Sequence, residues 1–505
     1  MRKHSPVFVF NSLNVKRGGL TKAVMRRANM LSNHYGDVQI LTLLYQRVHR
    51  RNIHELRKLG QLNKKVTVKN CFTDLNPFKN EKPNSKYAAN PKVKEKGLVE
   101  INDGSAYRYY KDGLYIKYKK FESNGQVSFI DYMNESRHRT CREEYDEKGY
   151  LVRIRHYDLT KNKPRIDRYF SRSGKCFLTT WVNPDSEQVG RCLLFYPKPV
   201  EFANLTELYS YWVNQKLANI KKPALMSDSR FSPTDKILLN IPSEKAKRIA
   251  ILHNNHFKKP YTKDSDIRGS WQTLLDNHNK FDRVVFLTHE QKEDITERFG
   301  NSGGFRVIPH EAKSPYAKRS STKVNPHLAV MMSRYNSQKR LDEAVRAFTH
   351  VVAEIPDARL EIYGSGDEEK KLKKLIHKLN MESNIKLMGF TNDPTATYQS
   401  AACTVLSSDY EGSPLVFNES MAAGTPIVTY DFKYGPKDVI RNGIDGFVVP
   451  RGHQKALADK IVKIMEDPTV RAKLSEGAVE IVERFSYEKY TDNWLNLFRE
   501  LDKAD

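Results

Sequence analysis

The sequence predicts an α/β protein built from two units of alternating strand and helix, with a strand-only segment inserted in the first. Three observations carry this. Short apolar runs alternate with amphipathic helical stretches near both ends of the chain. Between them lies a series of aromatic, β-leaning runs punctuated by glycine turns. At 505 residues the chain is also too long for one ordinary domain.

The elements follow in order. Apolar runs at residues 7–10 and 38–44 flank a helical stretch at 21–31, the β-α-β rhythm of a parallel sheet. From about residue 79 to 97 the chain turns polar and rich in Pro, Lys and Asn, as a linker does. Runs at 107–110, 114–121, 127–132, 150–157, 165–170 and 176–182 are then separated by Lys-Asp-Gly, Ser-Asn-Gly, Glu-Lys-Gly and Ser-Gly turns. This pattern predicts an antiparallel meander. Helical patterning returns after residue 206, with strands at 248–252 and 283–287. A Pro/Ser/Lys/Thr-rich stretch at 314–326 precedes the second unit. Its strands fall at 328–332, 359–363, 385–388, 403–406 and 426–429, with helices at 341–352 and 368–379. The predicted organisation is therefore 1–78 and 206–315 for the first α/β domain, 79–205 for the β-rich insert and 316–485 for the second α/β domain. Residues 486–505 form a last helix packing back on the first domain.

Composition narrows the function classes. Hydrophobic residues make up 39% and charged residues 29%, and no stretch approaches the roughly 18–20 apolar residues of a membrane span. The four-residue run at 7–10 is too short for a signal-peptide core. Five scattered cysteines without CxxC spacing suggest reduced thiols in a cytoplasmic protein and no zinc site. The net charge is +25, and the first hundred residues hold 21 Lys+Arg against 6 Asp+Glu, so +15 of it lies there. Such a field raises encounter rates with polyanions: a polymer, an acidic protein or a membrane surface contacted peripherally. Nucleic acid is not expected, because no aromatic-basic binding motif is present. The meander's edges offer a surface for homo-oligomerisation.

The richest stretch is SDYEGSPLVFNESMAAGTPIV, residues 408–428. It puts Glu411 at a strand end, a Gly-Ser-Pro turn after it, and Glu419 eight residues on in the following helix. Backbone N–H groups of Gly412, Ser413 and Leu415, around Pro414, at a helix N-terminus suit a diphosphate. A carboxylate further along can accept from both hydroxyls of a ribose diol. Just after the strand at 328–332, Arg334 and Lys339 are five apart in a loop that opens a helix. Two cations there can neutralise charge gathering on a nucleoside-diphosphate leaving group. Gly364, in Tyr-Gly-Ser-Gly, and Gly389 with Phe390, in Met-Gly-Phe, punctuate strand ends and fit close approach to a base and ribose. In the first unit, Gly18 and Gly19 follow Lys16-Arg17 between strand and helix, where main chain can touch a phosphate or sugar. His253 and His256 lie just beyond a strand as HxxH, but no third ligand stands at metal-site spacing, and contact with a sugar hydroxyl or carbonyl fits better. Asp264-Ser-Asp266 follows a polar segment rather than an apolar strand and reads as a solvated loop.

Taken together, the order and spacing of these motifs resemble glycosyltransferase family 4. The Gly-Gly loop, HxxH, RxxxxK, GSG and MGF turns, E-x7-E, AAGTP and Asn442-Gly-Ile-Asp-Gly-Phe all fall in register, most specifically over 328–485. The chain is most similar to the bacterial wall-teichoic-acid α-glycosyltransferases, which carry a β-rich insert in the N-terminal domain. The resemblance implies a GT-B fold, two Rossmann-like domains facing across a cleft, and retaining, metal-independent transfer from a UDP-sugar without cofactor. By it, Arg334, Lys339 and Glu419 bind UDP and Glu411 sits beside the donor sugar. One of the histidines meets the sugar's 6-hydroxyl, with His256 favoured on spacing and His253 the alternative. The implied mechanism is front-face attack, with the leaving phosphate helping to deprotonate the acceptor. The implied acceptor is poly(glycerol-phosphate) or poly(ribitol-phosphate) at the inner face of the membrane, the donor sugar being glucose or N-acetylglucosamine. Ser-Asp-rich protein is a second acceptor class, and a non-catalytic polyanion-binding protein on a transferase scaffold is the rival of another kind. One departure from the family pattern is Ser333 where many members have Gly before the arginine.

Overall fold

The computed structural model describes residues 3–15, 18–230, 233–313 and 324–503. The chain divides into two compact units, residues 2–248 and 249–505.

In the first unit four parallel strands lie in the order Pro223–Ser227, Ser5–Phe10, Val38–Thr42, Val66–Asn70. The central strands are buried along nearly their whole length, which is why they read as continuous apolar runs rather than alternating ones. The helix Gly19–Leu31 is tied to this sheet by a buried ion pair: Arg27 meets Asp228, just past the strand Pro223–Ser227, at 2.5 Å.

The insert is a ten-stranded antiparallel sheet running from Val99–Asn102 to Val200–Phe202, with neighbours in strict chain order. Its glycine turns do what their sequences predict. Asp112 and Gly113 both have positive φ, 46° and 80°, in the two-residue turn joining Ala106–Lys111 to Leu114–Phe121. The strand Arg139–Tyr145 escaped the hydrophobic pattern because its central side chains are charged. Cross-strand ion pairs replace apolar contacts there: Arg142 with Asp131 at 2.6 Å and Glu144 with Arg153 at 2.5 Å.

The second unit contains residues 249–251 of the strand Lys247–Ile251 and the parallel strands Arg283–Phe286 and Phe305–Val307. It also holds a six-stranded parallel sheet in the order Ile385–Gly389, Arg359–Tyr363, Asn325–Met332, Ala401–Leu406, Ile427–Asp431, Gly446–Pro450. Numbered by their place along this sheet's sequence the strands run 3-2-1-4-5-6. That order reverses between Asn325–Met332 and Ala401–Leu406, and in such sheets the crevice at the carboxyl ends of those two strands is where ligands bind. The motif residues Arg334, Lys339 and Glu411 all follow those two ends. Of the Pro/Ser/Lys/Thr-rich stretch 314–326, residues 314–323 lie outside the described residues. The last helix, Tyr487–Lys503, is anchored by Glu500, which takes Arg283 at 3.1 Å and Arg306 at 2.7 Å.

Candidate active site

The two loops at the reversal point are laced together by hydrogen bonds to main-chain carbonyls. Ser407 Oγ donates to the Lys339 and Arg340 carbonyls at 3.0 and 2.8 Å. Asp409 N–H donates to the Gln338 carbonyl, and Gln338 Nε2 donates to the Tyr410 carbonyl, both at 2.9 Å. Tyr335, buried, fixes the first loop from below by donating its hydroxyl to the Ile362 carbonyl at 2.6 Å. This framework delivers Lys339 to Glu411: Nζ lies 2.6 Å from Oε1. Arg334 is exposed on the same loop.

The helix Leu415–Ala422 starts at Pro414 with no side chain capping it, so the positive end of its dipole is open beside Ser413 and Gly412. Glu419 is exposed on that helix. It faces Tyr398, whose hydroxyl is held well above its usual pKa by burial first and by the Glu419 carboxylate second. Gly412 abuts the other loop of the unit: a Cβ there would stand 2.3 Å from both the carbonyl carbon and oxygen of His253. Gly364 makes a close approach inside the unit. At φ 140°, a Cβ on it would lie 1.9 Å from the Ser333 carbonyl oxygen, so this glycine lets the turn pack on the RxxxxK loop. Gly389 accepts from the Gly364 N–H at 2.7 Å, and Phe390 after it is 83% exposed.

The two histidines part company. His253 is half-buried beside Gly412 and stacks on His310, with ring centroids 5.6 Å apart and planes 22° from parallel. His256 is fully buried against Phe257, Trp271 and Tyr434, the last at 8° from parallel. Neither of its ring nitrogens has a hydrogen-bond partner among the described residues. Burial, then the charges of Lys433, Arg298 and Arg268, push its pKa from 6.5 down to about 3. His256 is therefore a neutral core ring, while His253 is the one beside the Glu411 loop.

Sequence reasoning missed two groups here. His310 follows the short strand Phe305–Val307, and its carbonyl accepts from Asn418 Nδ2 of the helix Leu415–Ala422 at 2.9 Å. Lys433 and Tyr434 pair with Glu411 through main chain and with Asp294 through side chains. Neither group belongs to a motif. The first-unit glycines sit where the sequence placed them: Gly18 precedes the helix Gly19–Leu31 without a side-chain cap, while Lys16 and Arg17 lie outside the described residues. Asp266 is largely exposed and pairs with Lys258 at 3.4 Å. Among the described residues no group of three or more His, Cys, Asp or Glu could hold a metal ion, and no helix is long and apolar enough to cross a membrane.

Comparison with known proteins agrees with this architecture. Residues 313–481 match the family model of glycosyl transferases group 1, and residues 7–193 match glycosyl transferase 1 domain A. The chain is 29% identical to the poly(glycerol-phosphate) alpha-glucosyltransferase of Bacillus subtilis, over 96% of this chain and 74% of that one. It is 25% identical to the poly(ribitol-phosphate) alpha-N-acetylglucosaminyltransferase of Staphylococcus aureus, over 97% of this chain and 98% of that one. A crystal structure of an S. aureus TarM variant in complex with fondaparinux, alpha-GlcNAc-glycerol and UDP superposes with a TM-score of 0.84 at 24% identity. That superposition covers 98% of this chain and all of the other. With the ten-stranded insert sheet and the motif loops at the strand-order reversal, these matches give the chain a group 1 glycosyl transferase domain at residues 313–481 and a GT-B fold.

Proposed function

We propose that this enzyme transfers glucose or N-acetylglucosamine, with retention at the anomeric carbon, from a UDP-sugar to the polyol-phosphate chain of a wall teichoic acid. The observation that carries the reading is the Lys339–Glu411 pair beside an uncapped helix N-terminus, at the point where the sheet order reverses. In this reading Arg334 and Lys339 neutralise the departing diphosphate, and the N–H groups at the start of the helix Leu415–Ala422 receive its oxygens. Glu419 holds the ribose diol and Phe390 offers its exposed ring to the base. Glu411 stands beside the sugar, and His253, rather than the buried His256, meets a sugar hydroxyl. The leaving phosphate assists proton removal from the attacking acceptor hydroxyl, and no divalent ion takes part. The names of the two relatives support a polyol-phosphate acceptor, and the +25 charge suits a polyanion. The enzyme acts on the cytoplasmic side of the membrane, where nucleotide sugars are made.

The test is UDP release and product analysis with UDP-glucose and UDP-N-acetylglucosamine, each with poly(glycerol-phosphate), poly(ribitol-phosphate), a Ser-Asp repeat peptide or no acceptor. Turnover with a polyol-phosphate supports the reading. Transfer to the peptide alone replaces the acceptor, and inertness with every pair removes the enzyme assignment for these substrates.

A further inference from the structure

We infer that Asp294 is a positioning residue for Glu411, acting through the Lys433–Tyr434 segment. The inference rests on the reading that Glu411 works at the donor sugar. Glu411 has both main-chain polar groups committed to this segment: its N–H donates to the Lys433 carbonyl at 3.0 Å, and its carbonyl accepts from the Tyr434 N–H at 3.1 Å. The segment's two side chains then converge on one carboxylate. Lys433 Nζ lies 2.5 Å from Asp294 Oδ2, and the Tyr434 hydroxyl donates to the same oxygen at 2.7 Å.

Asp294 belongs to the helix His289–Phe299, which is itself locked to the same part of the chain. Its first two N–H groups, on His289 and Glu290, donate to the Asp438 carboxylate at 2.5 and 3.3 Å. A helix N-terminus is thus capped by a carboxylate from four residues beyond Tyr434, which favours both partners electrostatically. Asn255 Nδ2 is a second donor to the Lys433 carbonyl, at 3.1 Å. Glu290 approaches Lys433 more loosely, at 3.3 Å.

The consequence is mechanical. Asp294 is 9% exposed and Tyr434 is fully buried, so replacing the carboxylate by an amide puts a weaker, uncharged acceptor before the buried phenol and leaves Lys433 with Glu290 as its ion-pair partner among the described residues. Such groups move to find partners or water. The peptide they carry is the one that fixes Glu411. A displacement of about 1 Å at a reacting group can cost on the order of 100-fold in rate.

The experiment compares Asp294→Asn, Asp294→Glu and Tyr434→Phe with wild type in steady-state transfer, with UDP binding measured by calorimetry. Asp294→Asn is expected to lower kcat by about 10- to 100-fold. UDP affinity and donor KM are expected to stay within about 3-fold, Asp294→Glu to recover part of the rate, and Tyr434→Phe to lose several-fold. A cycle with Glu411→Gln separates positioning from general support: in that background Asp294→Asn should cost little more in single-turnover rate, because the two act as one unit. A wild-type kcat in folded, UDP-binding Asp294→Asn and Tyr434→Phe overturns the inference, as does full additivity in the cycle. If Glu411→Gln itself turns over normally, the reading of Glu411 falls instead, whatever Asp294 does.

Discussion

Lys339 Nζ is 2.6 Å from Glu411 Oε1, and the two side chains are only 15% and 12% exposed. The cation assigned to the departing diphosphate is thus set in place by the carboxylate assigned to the donor sugar. Each holds the other in place, and removing either leaves a largely buried charge without this partner.

Lys339→Ala should therefore lower kcat by about 100- to 1,000-fold, the cost typical of losing a group aimed at transition-state charge. Lys339→Arg keeps the charge but replaces a point ammonium with a planar fork, and should restore only part of the rate. UDP release under saturating acceptor reads both.

The histidines should separate by phenotype. His253→Ala is expected to reduce turnover at least tenfold while leaving the melting temperature near wild type. His256→Phe should leave turnover at neutral pH largely intact, because the imidazole is buried and makes no hydrogen bond to a described residue. Loss of activity only in His256→Phe would reverse the assignment.

Acid stability follows from the same buried ring. The unfolded chain binds a proton at His256 near pH 6.5, whereas the folded chain does so only at about 3. Between those values the unfolded state holds more protons, so stability is full above about pH 6.5 and declines as pH falls toward 3, by at most about 1.4 kcal/mol per unit. His49, lowered to about 4 chiefly by burial, adds in the same direction. Thermal melts from pH 7.5 to 4.5 should show the decline, and His256→Phe should make it shallower.

Gly412→Ala should be damaging for a steric reason. The new methyl would meet main-chain atoms of His253 at 2.3 Å, and main chain cannot rotate away. The expected cost is about 1–3 kcal/mol of stability, together with a fall in kcat. Gly190→Ala, where a Cβ meets nothing within 4 Å, is the matched control.

Salt and chelation probe the proposed chemistry. Raising ionic strength from about 0.05 to 0.3 M shortens screening lengths to well under 10 Å. The KM for the polymeric acceptor should rise several-fold while the KM for the UDP-sugar changes little. Excess EDTA should leave the transfer rate unchanged, and restoration of a lost rate by Mg2+ or Mn2+ would show that a divalent ion takes part.

Much of this protein was legible in one dimension. Buried parallel strands appear as apolar runs, tight hairpins as Asp-Gly and Asn-Gly pairs, and the E-x7-E and RxxxxK spacings as fixed distances along a loop and helix. All of these are properties of short windows, where local sterics and periodicity decide the outcome. Even the exceptions were local in cause. Arg139–Tyr145 is a strand whose charged residues find partners on neighbouring strands, and no hydrophobic pattern could announce it.

What the sequence could not decide were questions of convergence. Two histidines three residues apart look equivalent as text, yet one ring is sealed beneath Tyr434 and the other stacks on His310. Gly364 serves the Ser333 main chain, an element some thirty residues away. Asp294, Lys433 and Tyr434 meet across about 140 positions of chain and carry no motif. Local chemistry specifies which element forms. Which side chains face one another depends on how those elements pack, and that is settled only when the whole unit excludes water and each buried polar group must find its partner.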